Sequence, residues 1–227
     1  MNVDVVIPAL NEASSLPLVL AEVPSSVRRV VVADNGSSDG TGSVARGAGA
    51  EVVWEPRRGY GSACLAALSH LASDPPEAVV FLDGDHSDHP GELPRLVSPI
   101  AAGHAELVIG SRTRGRHAPG ALTPQQIVGN WLACELIYRR YGVRFTDLGP
   151  FRAITWRALS ELRMVDRDYG WTVEMQLKAA RDGLRCTEVP VSYRQRVGQS
   201  KVSGTVRGTI GASFKILSWL ARHYRVS

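Results

Sequence analysis

The sequence predicts an α/β fold built on a mostly parallel sheet with helices on both faces. Two observations predict it. In the first 110 residues, short continuous apolar runs alternate with segments whose apolar residues recur at helical spacing. Strands that are apolar throughout belong to sheets buried on both faces. The polar punctuation, Asn11-Glu12, Asp34-Asn35 and Asp83-Gly84-Asp85, falls at the ends of those runs, the edge where open parallel sheets gather ligands.

Residues 3–7 form a short β-branched run stopped by Pro8, and Leu16, Val19 and Leu20 then follow at helical spacing, with Asn11 or Ser14 available as a cap. Residues 27–33 read as a second buried strand, closed by the turn triplet Asp34-Asn35-Gly36, and Asp39 and Thr41 open the next helix. Residues 52–54 make a third strand, 59–71 an alanine- and leucine-rich helix, 78–82 a fourth strand that delivers Asp83, and 107–109 a fifth. Beyond Gly110 the character changes. Residues 113–126, rich in Gly, Pro, Arg and Thr, read as a mobile loop. Residues 126–141 read as a helix with a broad apolar face (Ile127, Trp131, Leu132, Leu136), and 187–193 as a strand. Residues 206–224 form an amphipathic helix with Val206, Ile210, Phe214, Leu217, Ala221 and Tyr224 on one stripe. With no internal repeat and no low-complexity linker, residues 1–227 are expected to form one domain.

A chain of 227 residues with 44% hydrophobic and 21% charged residues can bury a substantial core. A net charge of +4 favours an anionic partner. No zinc-finger spacing or RNA-binding aromatic signature is present, so no nucleic-acid partner is expected. The three cysteines, Cys64, Cys134 and Cys186, are widely spaced and odd in number. That suits small core residues in a reducing, cytoplasmic setting. No leader-like segment opens the chain, and the most apolar stretch, 210–221, is interrupted by Lys215. The last helix sets Arg207, Lys215, Arg222 and Arg225 opposite its apolar stripe. Such a helix suits peripheral contact with a membrane; docking on the sheet's own core is the alternative.

Asp83-Gly84-Asp85 carries the chemistry. In extended chain, residues i and i+2 face the same side, so both carboxylates can address one site, and the intervening glycine allows close approach of a ligand. Adjacent carboxylates repel unless a cation sits between them, and a divalent ion bridging a diphosphate is one such cation. Two solvated aspartates in a turn are the bland alternative. Asp34, first after the second strand, is placed to accept from a base or ribose. His86 and His89 flank Asp88 and suggest a metal, but lone histidines in polar loops are more often solvated or hydrogen-bonded than ligands.

Together these residues resemble glycosyltransferase family 2, along nearly the whole chain. The first strand and loop, Val5 through Pro8, Ala9, Asn11 and Glu12, the turn from Asp34 to Thr41, the segment Arg58-Gly59-Tyr60-Gly61 with Ala63, Asp83 and Asp85 with Pro90, and Gly110-Ser111-Arg112 are similar to that family's ordered motifs. Asp147-Leu148-Gly149-Pro150-Phe151-Arg152 and Glu188-Val189-Pro190-Val191, followed by Arg194, Arg196, Gly198, Ser200 and Lys201, resemble its polyprenyl-phosphate sugar transferases.

The resemblance implies a GT-A, Rossmann-like fold, with residues 1–112 binding a nucleoside-diphosphate sugar (UDP-glucose or GDP-mannose) and 113–227 the acceptor, and transfer with inversion. Pro8, Ala9, Asn11, Glu12, Asp34, Gly59, Gly61 and Gly84 would line the donor site, and Glu12 and Asp34 would contact the nucleoside. Asp83 and Asp85 would hold Mg or Mn, and Arg112, Arg196 and Lys201 would meet diphosphate or acceptor phosphate. That branch commonly has glutamine where this chain has Ser87, which leaves the metal's surroundings open. A phosphate acceptor is already anionic and needs no base, whereas a hydroxyl acceptor needs a carboxylate, for which Asp147 and Glu174 are the candidates. For both, a cap or packing charge is the alternative. Tyr169 and Trp171 are candidates for stacking on the acceptor. Three activities follow: transfer to a polyprenyl-phosphate-like acceptor, transfer to a small hydroxyl acceptor, or nucleotide binding without catalysis. A dehydrogenase is poorly supported, because Pro8-Ala9-Leu10-Asn11-Glu12 and not a glycine-rich phosphate loop follows the first strand.

Overall fold

The computed structural model describes residues 1–198. The helix expected over 206–224, and with it Lys201, lies outside the described residues. Seven strands form one sheet in the order β3-β2-β1-β4-β6-β5-β7: β1 Val3–Ala9, β2 Arg29–Asp34, β3 Glu51–Trp54, β4 Ala78–Phe81, β5 Leu107–Ser111, β6 Arg152–Thr155 and β7 Cys186–Pro190. Only β6 runs against the others, between β4 and β5. Its four residues, with the conspicuous Arg152 at their start, carry too weak an apolar signal to be read as a strand, and the sequence reading has no element there.

The helices cover both faces. α3 Tyr60–Leu71, α5 Pro124–Tyr141, α6 Trp156–Leu162 and α7 Trp171–Arg181 share one core with Val6, Val79, Phe81 and Ile109. α1 Leu16–Glu22, α2 Thr41–Gly47 and α4 Leu93–Ala101 share the other with Val5, Ile7, Val80 and Val108. Successive residues of β1 and β4 thus feed opposite cores, which is why these strands are apolar but for Asp4, which is buried in ion pairs with Arg28 and Arg29. Each such side chain contributes about 1.5–3 kcal/mol by leaving water.

Three local expectations are corrected. Pro8 does not stop β1, which continues to Ala9 with Pro8 opposite Ala33 in register. Neither Asn11 nor Ser14 caps α1; its N-terminal flank is Ser15, and no side-chain cap bond forms there. The apolar face of α5 does not pack inward as a whole. Ala133, Cys134 and Ile137 are buried, whereas Ile127, Val128, Trp131 and Leu132 are exposed. Among the described residues, no helix is long and apolar enough to cross a membrane.

Candidate active site

β1, β2, β3 and β4 are parallel neighbours, so the loops that follow them open at one edge of the sheet. A cavity of about 340 Å³ lies there, with Pro8, Ala9, Leu10 and Glu12 on one wall and Asp83, Gly84 and Asp85 beside them. Asn35 and Arg58 flank it, and Asp168 and Tyr169 approach from the second half of the chain. Two residues expected in the donor site are instead spent on loop structure. Asn11, at φ +52°, receives the Ser38 N–H on its Oδ1 and donates its own N–H to Ser37. Asp34 accepts from Ser37 N–H (2.9 Å) and packs against Gly42, so it does not line the cavity. The next residue, Asn35, does. Its amide donates to the Glu55 and Arg57 carbonyls and accepts from Gly59 N–H, knitting the loop after β3 to the cavity.

The β4 loop concentrates negative charge. Asp85 is buried, and its Oδ1 accepts from both the N–H (2.9 Å) and the hydroxyl (2.5 Å) of Ser87. Its Oδ2 pairs with the Arg196 guanidinium at 3.0 Å. Ser87, the departure noted in the sequence, therefore fixes the orientation of Asp85. Asp88 is buried behind the pair and accepts from Asp83 N–H at 3.3 Å. Burial and then the Asp85 charge push the Asp83 carboxyl up to about 7. Burial and the charges of Asp83 and Asp85 push Asp88 well above the usual carboxylate range. Asp83 Oδ1 and Asp88 Oδ1 are both buried without a hydrogen-bond partner. Such a cluster has unmet demand for positive charge, and the residues present fit a divalent ion. Among the described residues no group of three or more His, Cys, Asp or Glu is placed to hold a metal. Any ion here therefore takes its remaining oxygens from ligand and water, the habit of Mg-type sites on phosphates. The His86 ring turns to Glu22 on α1, 2.9 Å away, a hydrogen-bonded histidine.

Gly59 and Gly61 serve packing more than ligand contact. A Cβ on Gly59 would run into the Arg167 carbonyl oxygen, and one on Gly61 into that of Asp166. Ser62 donates its N–H to the same Arg167 carbonyl (2.9 Å). The start of α3 is thus a seat for residues 165–170, the loop that carries Asp168 and Tyr169 to the cavity. Glu174 anchors that loop. Fully buried on α7, it accepts from Val165 N–H (2.9 Å) and Asp166 N–H (2.7 Å) and pairs with Lys178 at 2.7 Å. It is a positioning group, not an accessible base. Trp171 is buried, edge-on to Phe81, and belongs to the core; Tyr169 alone of the two reaches the cavity.

Asp147 is also unavailable as a base. It is fully buried and accepts from Arg112 through Nε (2.9 Å), the Arg112 backbone N–H (2.7 Å) and Nη2 (2.7 Å). Burial opposes the Arg112 charge, and Asp147 overrides it, so the guanidinium stays protonated. Arg112 also stacks 5.0 Å over the Tyr193 ring. Glu188 on β7 closes the network, accepting from Thr146 and Asp147 N–H. Arg152, fully buried, spends its guanidinium on the carbonyls of Leu148, Gly149 and Thr172 and on Gln176. Sequence reasoning missed Asn35 and Asp168 as cavity residues. The first was hidden because Asp34 looked better placed at the strand end; the second had no local motif.

The chain is similar to known proteins. The model of the family described as Glycosyl transferase family 2 matches residues 4–162. An uncharacterized glycosyltransferase of Mycobacterium tuberculosis is 43% identical over 211 residues, covering 92% of this chain and 93% of its own. An undecaprenyl-phosphate mannosyltransferase of Micrococcus luteus is 32% identical, covering 92% and 90%. A polyprenol monophosphomannose synthase of Mycolicibacterium smegmatis is 32% identical, covering 95% and 85%. In shape, the chain superimposes with a TM-score of 0.76 on glucosyl-3-phosphoglycerate synthase of Mycobacterium tuberculosis, solved with Mn2+, UDP and phosphoglyceric acid. That match covers 100% of this chain and 79% of the other at 23% identity, a likeness of fold.

Proposed function

Because the chain belongs to glycosyl transferase family 2, whose members transfer sugars, we propose that it moves a hexosyl group from a nucleoside-diphosphate sugar to the phosphate of a polyprenyl-type lipid, at the cytoplasmic face of a membrane. The observation that carries this reading is the carboxylate pair at the cavity: Asp83 with an unpartnered oxygen, beside an Asp85 that already holds a cation, Arg196, at 3.0 Å.

Asp85 and Asp83 are the residues that would hold Mg or Mn. Bound there, the ion supplies charge neutralisation of the departing nucleoside diphosphate. The chain's own residues do the rest. Ser87 keeps Asp85 aimed at the cavity, and Pro8, Ala9 and Leu10 give an apolar wall on which a nucleobase can lie. Glu12 lines the cavity, its carboxylate accepting from the Ser15 hydroxyl at 2.6 Å, and would meet the ribose hydroxyls. Arg196 is free to exchange Asp85 for a phosphate, where a guanidinium pairs bidentately. Asp168 and Tyr169 narrow the cavity and limit water around the sugar.

Two carboxylates of the second half bear on the acceptor. Asp147 and Glu174, the carboxylates a hydroxyl acceptor would call on, are both buried and fully engaged. A phosphate oxygen needs only alignment with the anomeric carbon. The lipid-phosphate names of the Micrococcus and Mycolicibacterium relatives support the same acceptor and favour mannose as the sugar. One observation favours the second reading, a hydroxyl acceptor: Asp168 is among the residues lining the cavity and would be its base.

Thermal-shift measurements with GDP and UDP, each with and without Mn, test the donor half. A nucleotide is expected to stabilise the protein in a metal-dependent way, and Asp85→Ala to abolish the metal-dependent part. If no nucleotide stabilises the chain, or the variant keeps the full metal effect, the reading fails. Transfer of labelled sugar to a polyprenyl phosphate, with Asp168→Asn retaining most of the rate, separates the two acceptors; a loss of a hundredfold or more would favour the hydroxyl.

A further inference from the structure

We propose that the outer face of α5 is a docking surface for an anionic lipid bilayer. The helix is well specified. A capping box between Thr123 and Gln126 starts it, and Gly142 in left-handed conformation ends it. Its inner side is committed to the fold through Ala133, Cys134 and Ile137. The outer side leaves Ile127 47%, Val128 62%, Trp131 62% and Leu132 39% exposed. Spaced i, i+1, i+4 and i+5, the four lie on one stripe. A row of apolar side chains including tryptophan, facing water, calls for a partner.

Charge decides which partner. Exposed Arg114 and Arg116 precede the helix, Arg139 and Arg140 occupy its last turn, and exposed Arg144 follows. Arg144 is held 3.9 Å over the Tyr138 ring and Arg140 5.0 Å over that of Tyr141. Against these stand Glu135, paired with Arg139, and Glu188, 3.8 Å from Arg114. An apolar stripe with tryptophan, bracketed by arginines at both ends, matches the boundary between acyl chains and anionic headgroups. A second copy of the chain fits poorly, since an isologous antiparallel pairing of α5 would set arginines against arginines.

The surface is also tied to the site. On the opposite side of α5, Asn130 donates to the Thr146 carbonyl (2.9 Å) and accepts from Leu148 N–H (2.7 Å), clasping the segment that holds Asp147 and Arg112. A bilayer seated on α5 would stand about one helix diameter, ~10 Å, from that network. This inference deepens the lipid-phosphate reading and rests on it for its purpose, not for its test.

The test is flotation of the full chain with vesicles of 30% phosphatidylglycerol in phosphatidylcholine, against pure phosphatidylcholine. The unaltered protein is expected to float with the anionic vesicles and to be released by high salt. V128S/W131S, both on exposed positions, is expected to bind at least tenfold less while its nucleotide-linked thermal shift is unchanged. Equal flotation of the two proteins, or none of either, overturns the proposal. So does a dimer that the double variant dissolves, since it means that a second copy of the chain covers the face. Flotation without any nucleotide effect would leave this surface standing and sink the donor reading instead.

Discussion

Replacing Glu174 by glutamine separates a positioning role from a catalytic one. The carboxylate is fully buried, holds the N–H groups of Val165 and Asp166 at 2.9 and 2.7 Å, and pairs with Lys178 at 2.7 Å. Glutamine keeps the volume but loses the charge. Its amide NH2 must also face one of two N–H donors, leaving a buried donor unmet and Lys178, itself almost buried, short of its counter-charge. Removing one partner of a buried pair costs about 3–5 kcal/mol. In a chain of this size each kcal/mol lowers Tm by roughly 2–4 °C, so a fall of about 10 °C is expected by circular dichroism. Because residues 165–170 carry Asp168 and Tyr169 to the cavity, KM for the donor should rise several-fold, with kcat measured well below the new Tm changing less. An unchanged Tm with kcat down a hundredfold would refute this account and restore Glu174 as a general base.

Ser87→Ala removes the hydroxyl that orients Asp85. Loss of such a supporting bond typically weakens metal affinity about tenfold or more, which titration of the nucleotide-linked thermal shift with Mn would read; an unchanged Mn midpoint would show that the hydroxyl is dispensable. The three thiols should be inert in the native protein. Burial pushes Cys134 and Cys186 up to about 12 and Cys64 well above the ordinary thiol range, so below that pH the nucleophilic thiolate is scarce. Intact mass after iodoacetamide at pH 8 should show no adduct on the native chain and three on the denatured one; a native adduct on Cys64 or Cys134, the two buried thiols, would contradict this account.

The strand-forming runs of the first half were legible because their centres are continuously apolar, in β1, β2 and β4 the pattern of a strand fed into two cores. Strand ends were legible from turn chemistry, and Asp83 and Asp85 stood out for their period-two spacing. The second half was harder to read for a physical reason. β6 owes its place to pairing on both sides with β4 and β5, not to its own propensity. The face of α5 that the sequence marks as core is split, because only the side bearing Ala133 and Ile137 joins the core, with α7 as its neighbour, and local periodicity does not tell which side the rest of the fold will cover.

The sequence by itself determined that this chain would build a parallel sheet with acidic loops at its carboxyl edge, because strand period, turn residues and a paired-aspartate spacing are all local. Only the tertiary structure decided what each charged side chain is for. Arg112 and Asp147 are 35 residues apart in sequence and neutralise each other; Glu174 reaches back to hold a loop; Ser87 takes over the orientation of Asp85. A carboxylate's availability depends on which donors surround it after folding, and those donors come from segments whose approach no local pattern records.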